Sequence, residues 1–163
     1  MEAGRDTSVS RSTLLQIPEE MLAALKPVFD QIPPEEAMPT LQGGSPKLRD
    51  VVEAAIAGTA VPRRAGIAAG LWLYVDDLDR AHTVAQAMPD STGSMWHGIM
   101  HRREGDFSNS LYWFRRASGH PVMAELAPEA LVQAVSRANG RDIPELVERQ
   151  RREWCRLFEY CCR

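Results

Sequence analysis

The chain has 163 residues, 44% of them hydrophobic and 25% charged, with a formal net charge of -3. That size suits one domain able to bury its own core. Near-neutral charge argues against a nucleic-acid or acidic-membrane partner, and no apolar run approaches the ~18 residues of a membrane-spanning helix.

The opening MEAGRDTSVSRSTLLQ is polar and lacks the apolar centre of a secretory signal. It reads as a flexible tail over 1–16, ahead of a single domain over 17–163. Pro18 to Phe29 then carries Met21, Leu22, Leu25, Val28 and Phe29 on one helical stripe. A proline-rich linker, QIPPEEAMPTLQGGSP, leads to an N-cap at Ser45 with Pro46 in the first helical turn. Leu48, Val51, Val52, Ala55 and Ile56 face inward on that helix, which ends near Gly58. Pro62 opens the next helix, with Ile67, Leu71 and Tyr74 as its inner face.

A short helix spans Leu78 to Met88, and Pro89 to Gly93 is a turn. Helices follow over Ser94 to Glu104 and, past the Gly105-Asp106 break, over Phe107 to Ser118. Pro128 starts a helix that reaches Asn139-Gly140. The last helix has Asp142 as N-cap with Glu145 three residues on, and buries Leu146, Val147, Gln150, Trp154, Leu157, Phe158 and Cys161. β-branched residues never alternate as a strand requires. The expected fold is all-α, roughly seven to nine short, mostly antiparallel helices in one domain.

Cys155, Cys161 and Cys162 are odd in number and crowd the C-terminus, which suits a reduced, cytoplasmic protein better than a disulfide framework. They read as small apolar thiols on a frayed helix end, without a functional role.

The functional core is residues 71–121, which hold all four histidines and Trp72, Trp96 and Trp113. On the Ser94–Glu104 helix, His97, His101 and Glu104 stand at i, i+4 and i+7 and share a face. An imidazole pair at that spacing clamps one divalent cation, while Glu104 adds an oxygen ligand or serves as a base. The zinc-protease pattern is absent, because Gly98 follows His97 and no glutamate lies between the histidines. The preceding helix brings Asp79, His82 and Gln86 to one side. In an antiparallel hairpin His82 lies level with His97 and His101, so His82, His97, His101 and Glu104 form a four-ligand set for zinc, iron or manganese. The structural alternative is that these imidazoles are polar face residues, or are buried against carbonyls and carboxylates.

On the Phe107–Ser118 helix, Phe107, Ser110, Leu111, Phe114 and Ala117 form the core stripe. The opposite side presents Asn109, Tyr112, Trp113 and Arg116, a set suited to a ligand cleft, a partner surface or cover by a neighbouring helix. Arg103 points to the apolar side of its helix and needs an acid, with Asp76, Asp77, Asp79, Glu104 and Asp106 as candidates. The arginines serve either an ion-pair network or, through Arg116 and a histidine, an anion site. His120, in Gly-His-Pro, caps the preceding helix or leans into the same pocket.

Ala69, Leu78 and Ala81 recur 29 residues later as Gly98, Phe107 and Ser110. With Phe114 and Ala117, the second set resembles the small-aromatic-small rhythm of tetratricopeptide-type hairpins over about one hairpin. The segments HTVAQ, GSMWHGIMHRREGDFSNSLYWFRR and GHP, with the closing REWCRLFEYCC, resemble a family of uncharacterised bacterial and fungal proteins. That family carries an H-T-x-x-Q … W-H-x-x-x-H-R-R-E-x-D-x-x-N-x-x-Y-W-x-R-R … H-P block. The resemblance covers roughly half the chain and implies no assigned activity. It marks His82, Gln86, Trp96, His97, His101, Arg102, Arg103, Glu104, Asp106, Asn109, Tyr112, Trp113, Arg115, Arg116 and His120. Ser110-Leu111 departs from the pattern, where a small residue and then a lysine are expected.

Two functions are expected on these grounds. One is a site between the central helices that takes a small polar or anionic ligand and a divalent metal, with His97, His101 and Glu104 as catalytic candidates. In it Gln86, Asn109, Tyr112, Trp113, Arg116 and His120 contact the ligand. The other is a non-enzymatic helical-hairpin module whose aromatic face meets a partner or a second copy in a homo-oligomer.

Overall fold

The computed structural model describes residues 15–59 and 61–163, apart from the side chains of 61–63, and contains helices and turns but no strand among them. The expected tail falls chiefly on residues 1–14, outside the described residues. At Gln16 the chain is already attached, since its backbone N–H donates to Glu159 Oε1 at 2.7 Å. No helix is long and apolar enough to cross a membrane among the described residues.

The elements in order are α1 (Glu19–Gln31), α2 (Arg49–Ala57), α3 (Val61–Tyr74), α4 (Leu78–Gln86), α5 (Ser91–Glu104), α6 (Phe107–Arg116), α7 (Met123–Leu126), α8 (Pro128–Ala138) and α9 (Pro144–Cys161). Successive helices from α3 to α6 pack as neighbours, and α9 returns across α3 and α8. α5 is the central helix: every residue from Gly93 to Arg103 is buried. A helix surrounded on all sides has no solvent-facing side, so its polar side chains, His97, His101, Arg102 and Arg103, must find partners inside the fold.

Two close approaches set this packing. A Cβ on Gly70 would lie 2.8 Å from the Phe158 ring and 3.0 Å from that of Trp96, so only glycine lets α3 meet α5 and α9 there. Trp154 Nε1 donates to the Gly70 carbonyl across that contact at 2.8 Å. One on Gly98 would lie 2.8 Å from Phe114, which brings α6 against α5. Ser110 Oγ seals the same contact by donating to the Gly98 carbonyl at 2.6 Å.

The 29-residue repeat is a repeat of corners. Asp76 (φ 63) ends the α3 hairpin arm as Gly105 (φ 86) ends the α5 arm, both left-handed. The next residues, Asp77 and Asp106, cap α4 and α6 by accepting from Arg80 N–H and Asn109 N–H. Their own N–H groups donate to Trp72 O and His101 O, again equivalent positions. Asp76 is the strained copy, since a left-handed aspartate is less favoured than glycine. Arg103 Nη1 holds it at 2.7 Å, which selects Asp76 among the acids expected to meet Arg103.

Several expected boundaries move. Ser45 and Pro46 do not begin a helix: Lys47 N–H donates to Val75 O at 3.0 Å, and α2 starts at Arg49 after a left-handed Leu48. Asp142 does not cap α9, because its carboxylate accepts from Leu41 N–H at 2.9 Å, and the helix starts at Pro144 without a side-chain cap. α5 begins earlier than expected, where Asp90 accepts from Gly93 N–H at 2.9 Å and so turns part of the expected turn into helix. The short α7 was not foreseen. Leu22, at the edge of the α1 stripe, is 46% exposed. The C-terminus is not frayed, since α9 runs to Cys161 with Cys155 and Cys162 buried against the core.

Candidate metal centre

The candidate centre lies where α4 faces the second half of α5. Asp77 starts α4 so that His82 falls on its α5-facing side, and Asp90 starts α5 so that His97 and His101 stand a turn apart on one face. Ring centroids are 4.8 Å apart for His82–His97, 5.5 Å for His82–His101 and 5.0 Å for His97–His101. One ligand nitrogen from each of the three lies within 4.8 Å of the others, a group that can hold a metal ion. His97 and His101 are buried and His82 is half-buried, so the group opens toward solvent on the α4 side.

Electrostatics favour neutral imidazole at the centre. Burial, then the neighbouring His101 and His82, hold His97 down to about 4. At neutral pH its ring keeps a lone pair available. Its Nδ1 is buried with no hydrogen-bond partner among the described residues, and such an orphaned polar atom is costly unless something supplies a partner.

Glu104 does not stand beside the other ligand atoms as a fourth. Its Oε1 lies 2.7 Å from His101 Nδ1, which leaves the other ring nitrogen of His101 for the cluster. Asn109 Nδ2 approaches the same Nδ1 at 3.5 Å. His101, Glu104 and Asp106 form a second group of close ligand atoms, on the outer side of His101. Periodicity overlooked Asp106 there, because it belongs to the corner after α5 and not to a helix face. Its carboxylate already caps α6.

The α6 stripe runs antiparallel beside the cluster. Trp113 stacks on His97 with centroids 3.8 Å apart and planes 6° from parallel. The Arg116 guanidinium lies 5.4 Å from the Trp113 ring centroid and 5.8 Å from that of Tyr112, with Nη1 at 3.4 Å from Tyr112 Oη. Trp113 is half-buried, while Tyr112 and Arg116 are exposed.

Of the other expected ligand contacts, Gln86 stands one turn beyond His82 on α4 and His120 lies apart from this group. Gln86 is exposed at the last turn of α4. His120 packs at the opposite end of α5 from His101. Its Nδ1 accepts from Val122 N–H at 3.3 Å, so in the neutral ring Nε2 carries the proton and donates to Thr92 Oγ1 at 3.0 Å. Tyr160 lies against it, with centroids 4.7 Å apart. Both nitrogens are thus in use.

The arginines after His101 lock the scaffold. Arg102 makes a buried two-pronged pair with Glu153 of α9, Nη2–Oε1 at 2.7 Å and Nη1–Oε2 at 3.1 Å. Arg103 binds Asp76, Leu73 O and Thr40 O. An acid for Arg103 is expected from the sequence, whereas Glu153 as the partner of Arg102 is not. A carboxylate at the apolar edge of the last helix was the available signal.

No family model, curated protein or solved structure matches the chain.

Proposed function

We propose that this protein binds one divalent transition metal through His82, His97 and His101, with zinc preferred over iron and manganese. The observation that carries the reading is the convergence of three imidazoles from two helices, with ligand nitrogens within 4.8 Å of one another. Neutral nitrogen donors suit zinc, whose Zn–N bonds of about 2.0–2.1 Å require the three rings to close further around the ion. Three protein ligands leave a coordination position for water or a small ligand, as catalytic zinc centres do. Glu104 acts on His101 Nδ1 as the orienting carboxylate that metal-bound histidines commonly carry. A water held on the open position would supply the nucleophile for a metal-assisted hydrolytic or hydration step. A cytoplasmic location is part of the proposal, supported by the buried Cys155 as a reduced thiol.

The test is metal analysis and titration of the tag-free full chain. One equivalent of zinc is expected, with His97→Ala and His101→Ala each losing at least about 100-fold in affinity while keeping wild-type helical circular dichroism. Folded wild-type protein that takes up no zinc, iron or manganese defeats the proposal.

A second reading draws on the half-exposed Tyr112 ring, 50% accessible, beside the exposed Arg115 and Arg116. In that reading the α6 face docks a partner or a second copy without chemistry. Sedimentation that is concentration-dependent in wild type and not in Tyr112→Ala would support self-association. Identical sedimentation of the two as monomers excludes the homo-oligomer.

A further inference from the structure

A cavity of about 600 Å³ lies between α2 and α4, away from the histidine group. Its floor is α3, where Ala65, Ala68 and Trp72 stand at i, i+3 and i+7 on one face. Ile56 and Ala57 of α2 form one wall and Val84 of α4 the other. Val84 stands two residues past His82 and so points to a different side of α4. The methyl groups of Ala65 and Ala68 are too short to fill the space between the flanking helices. Ala68 and Trp72 are buried, Ile56 and Val84 half-buried, and Ala57 and Ala65 exposed at the mouth.

The two ends of this slot differ in charge. At the Trp72 end, Arg80 lies 4.7 Å from the indole centroid and reaches from α4 to pair with Glu53 of α2. The charges there are matched. At the other end, two turns back along α3, stands Arg64, whose Nη2 donates to the carbonyls of Ala57 and Thr59 at 3.4 and 2.9 Å. Arg64 meets no carboxylate among the described residues, and its buried Nε has no hydrogen-bond partner among them. The slot thus runs from a neutral end to a cationic one, over about 12 Å at about 1.5 Å per helical residue.

We infer that this slot binds a monocarboxylate with a medium-length, unbranched alkyl chain, the chain lying along Ala65, Ala68 and Trp72 and the carboxylate at Arg64. Apolar walls supply the affinity and one charged group fixes the orientation, the usual division in small-ligand sites. The two carbonyls that accept from Nη2 hold the guanidinium in place without neutralising it. Its charge lacks the counter-ion that Glu53 gives Arg80. A neutral or cationic amphiphile would leave that charge unanswered. The site is independent of the metal centre.

The experiment titrates the full chain with decanoate, below its micelle concentration, by calorimetry. Decanol in a second arm tests the head group, and acetate in a third tests the chain. Expected is saturable, equimolar binding of decanoate, at least about tenfold tighter than decanol, with no binding of acetate. Arg64→Gln should weaken decanoate by about tenfold and remove its advantage over decanol. Ala65→Trp, at the exposed mouth, should block both ligands while the helical circular dichroism stays that of wild type. Absence of saturable decanoate binding overturns the inference, as does decanol binding equally tightly to wild type. Unchanged affinity in Arg64→Gln or in Ala65→Trp would place the ligand elsewhere and also overturns it. Concentration-dependent dimerisation that Ala65→Trp abolishes, without decanoate binding, would assign the slot to a second copy instead.

Discussion

Trp113 lies flat on His97, with ring centroids 3.8 Å apart, and so makes one helix's aromatic residue the lid on its neighbour's imidazole. This contact contributes to the burial that holds His97 down to about 4. Replacing the indole by Ala exposes the ring and relieves part of that desolvation. In metal-free Trp113→Ala the His97 pKa is expected to rise by roughly one unit toward the usual ~6.5, as read by NMR titration of the ring protons. An unmoved value would mean that the neighbouring histidines, and not the lid, set it.

Glu104 touches His101 Nδ1 at 2.7 Å and is 40% exposed, so its loss should spare the fold. Glu104→Gln is expected to weaken zinc binding by about 10–100-fold, the usual cost of removing a carboxylate behind a ligating histidine. Competition with a chromophoric chelator measures it. Affinity equal to wild type would remove Glu104 from the centre.

Gly98→Ala tests the seat of α6. The added methyl group meets the Phe114 ring at 2.8 Å, and Phe114 is fully buried with no room to turn aside. Overpacking of this kind costs about 1–3 kcal/mol. A urea midpoint that falls accordingly is expected, with weaker Trp113–His97 stacking as α6 is pushed away.

Arg102 and Glu153 form a pair without solvent on either side. Glu153→Ala leaves a buried guanidinium without its counter-charge, and a loss of about 3–5 kcal/mol is expected in chemical denaturation. The double variant Arg102→Met with Glu153→Leu should recover most of it, because both the charge and its desolvation are removed. A double variant as unstable as the single one would show that the pair contributes more than mutual neutralisation.

Acid should destabilise the metal-free protein. Burial lowers the pKa of both His97 and His120. Below the ordinary histidine pKa of about 6.5 the unfolded chain therefore binds more protons than the folded one. The stability from these neutral rings is complete above that value and is lost as pH falls, for His97 through about 4. Urea midpoints should decline from neutral pH into the acid range, with a shallower slope in His97→Gln. A midpoint independent of pH, or an equal slope in the variant, would contradict this.

Legibility in the sequence followed the range of the forces involved. Helix identity and the pairing of His97 with His101 could be read directly, because spacing along a helix fixes which side chains share a face. Ser45 and Asp142 were misread as caps for the opposite reason. Each is a good local cap type, yet Lys47 N–H is taken by Val75 O and the Asp142 carboxylate by Leu41 N–H, partners far away in the chain. The full burial of α5 was also hidden, since its polar side chains are the ones that an exposed helix would carry.

By itself the sequence determined an all-α chain with histidines concentrated on two successive helices, because helical periodicity and capping act within a few residues. Only the tertiary structure decided that His82 meets His97 and His101, that Glu104 turns to His101 Nδ1, and that Glu153 answers Arg102. Those outcomes depend on how closely α4, α6 and α9 approach α5. That approach is set by small residues such as Gly70 and Gly98 meeting large rings from other helices, a matter of shape between segments that no spacing along the chain encodes.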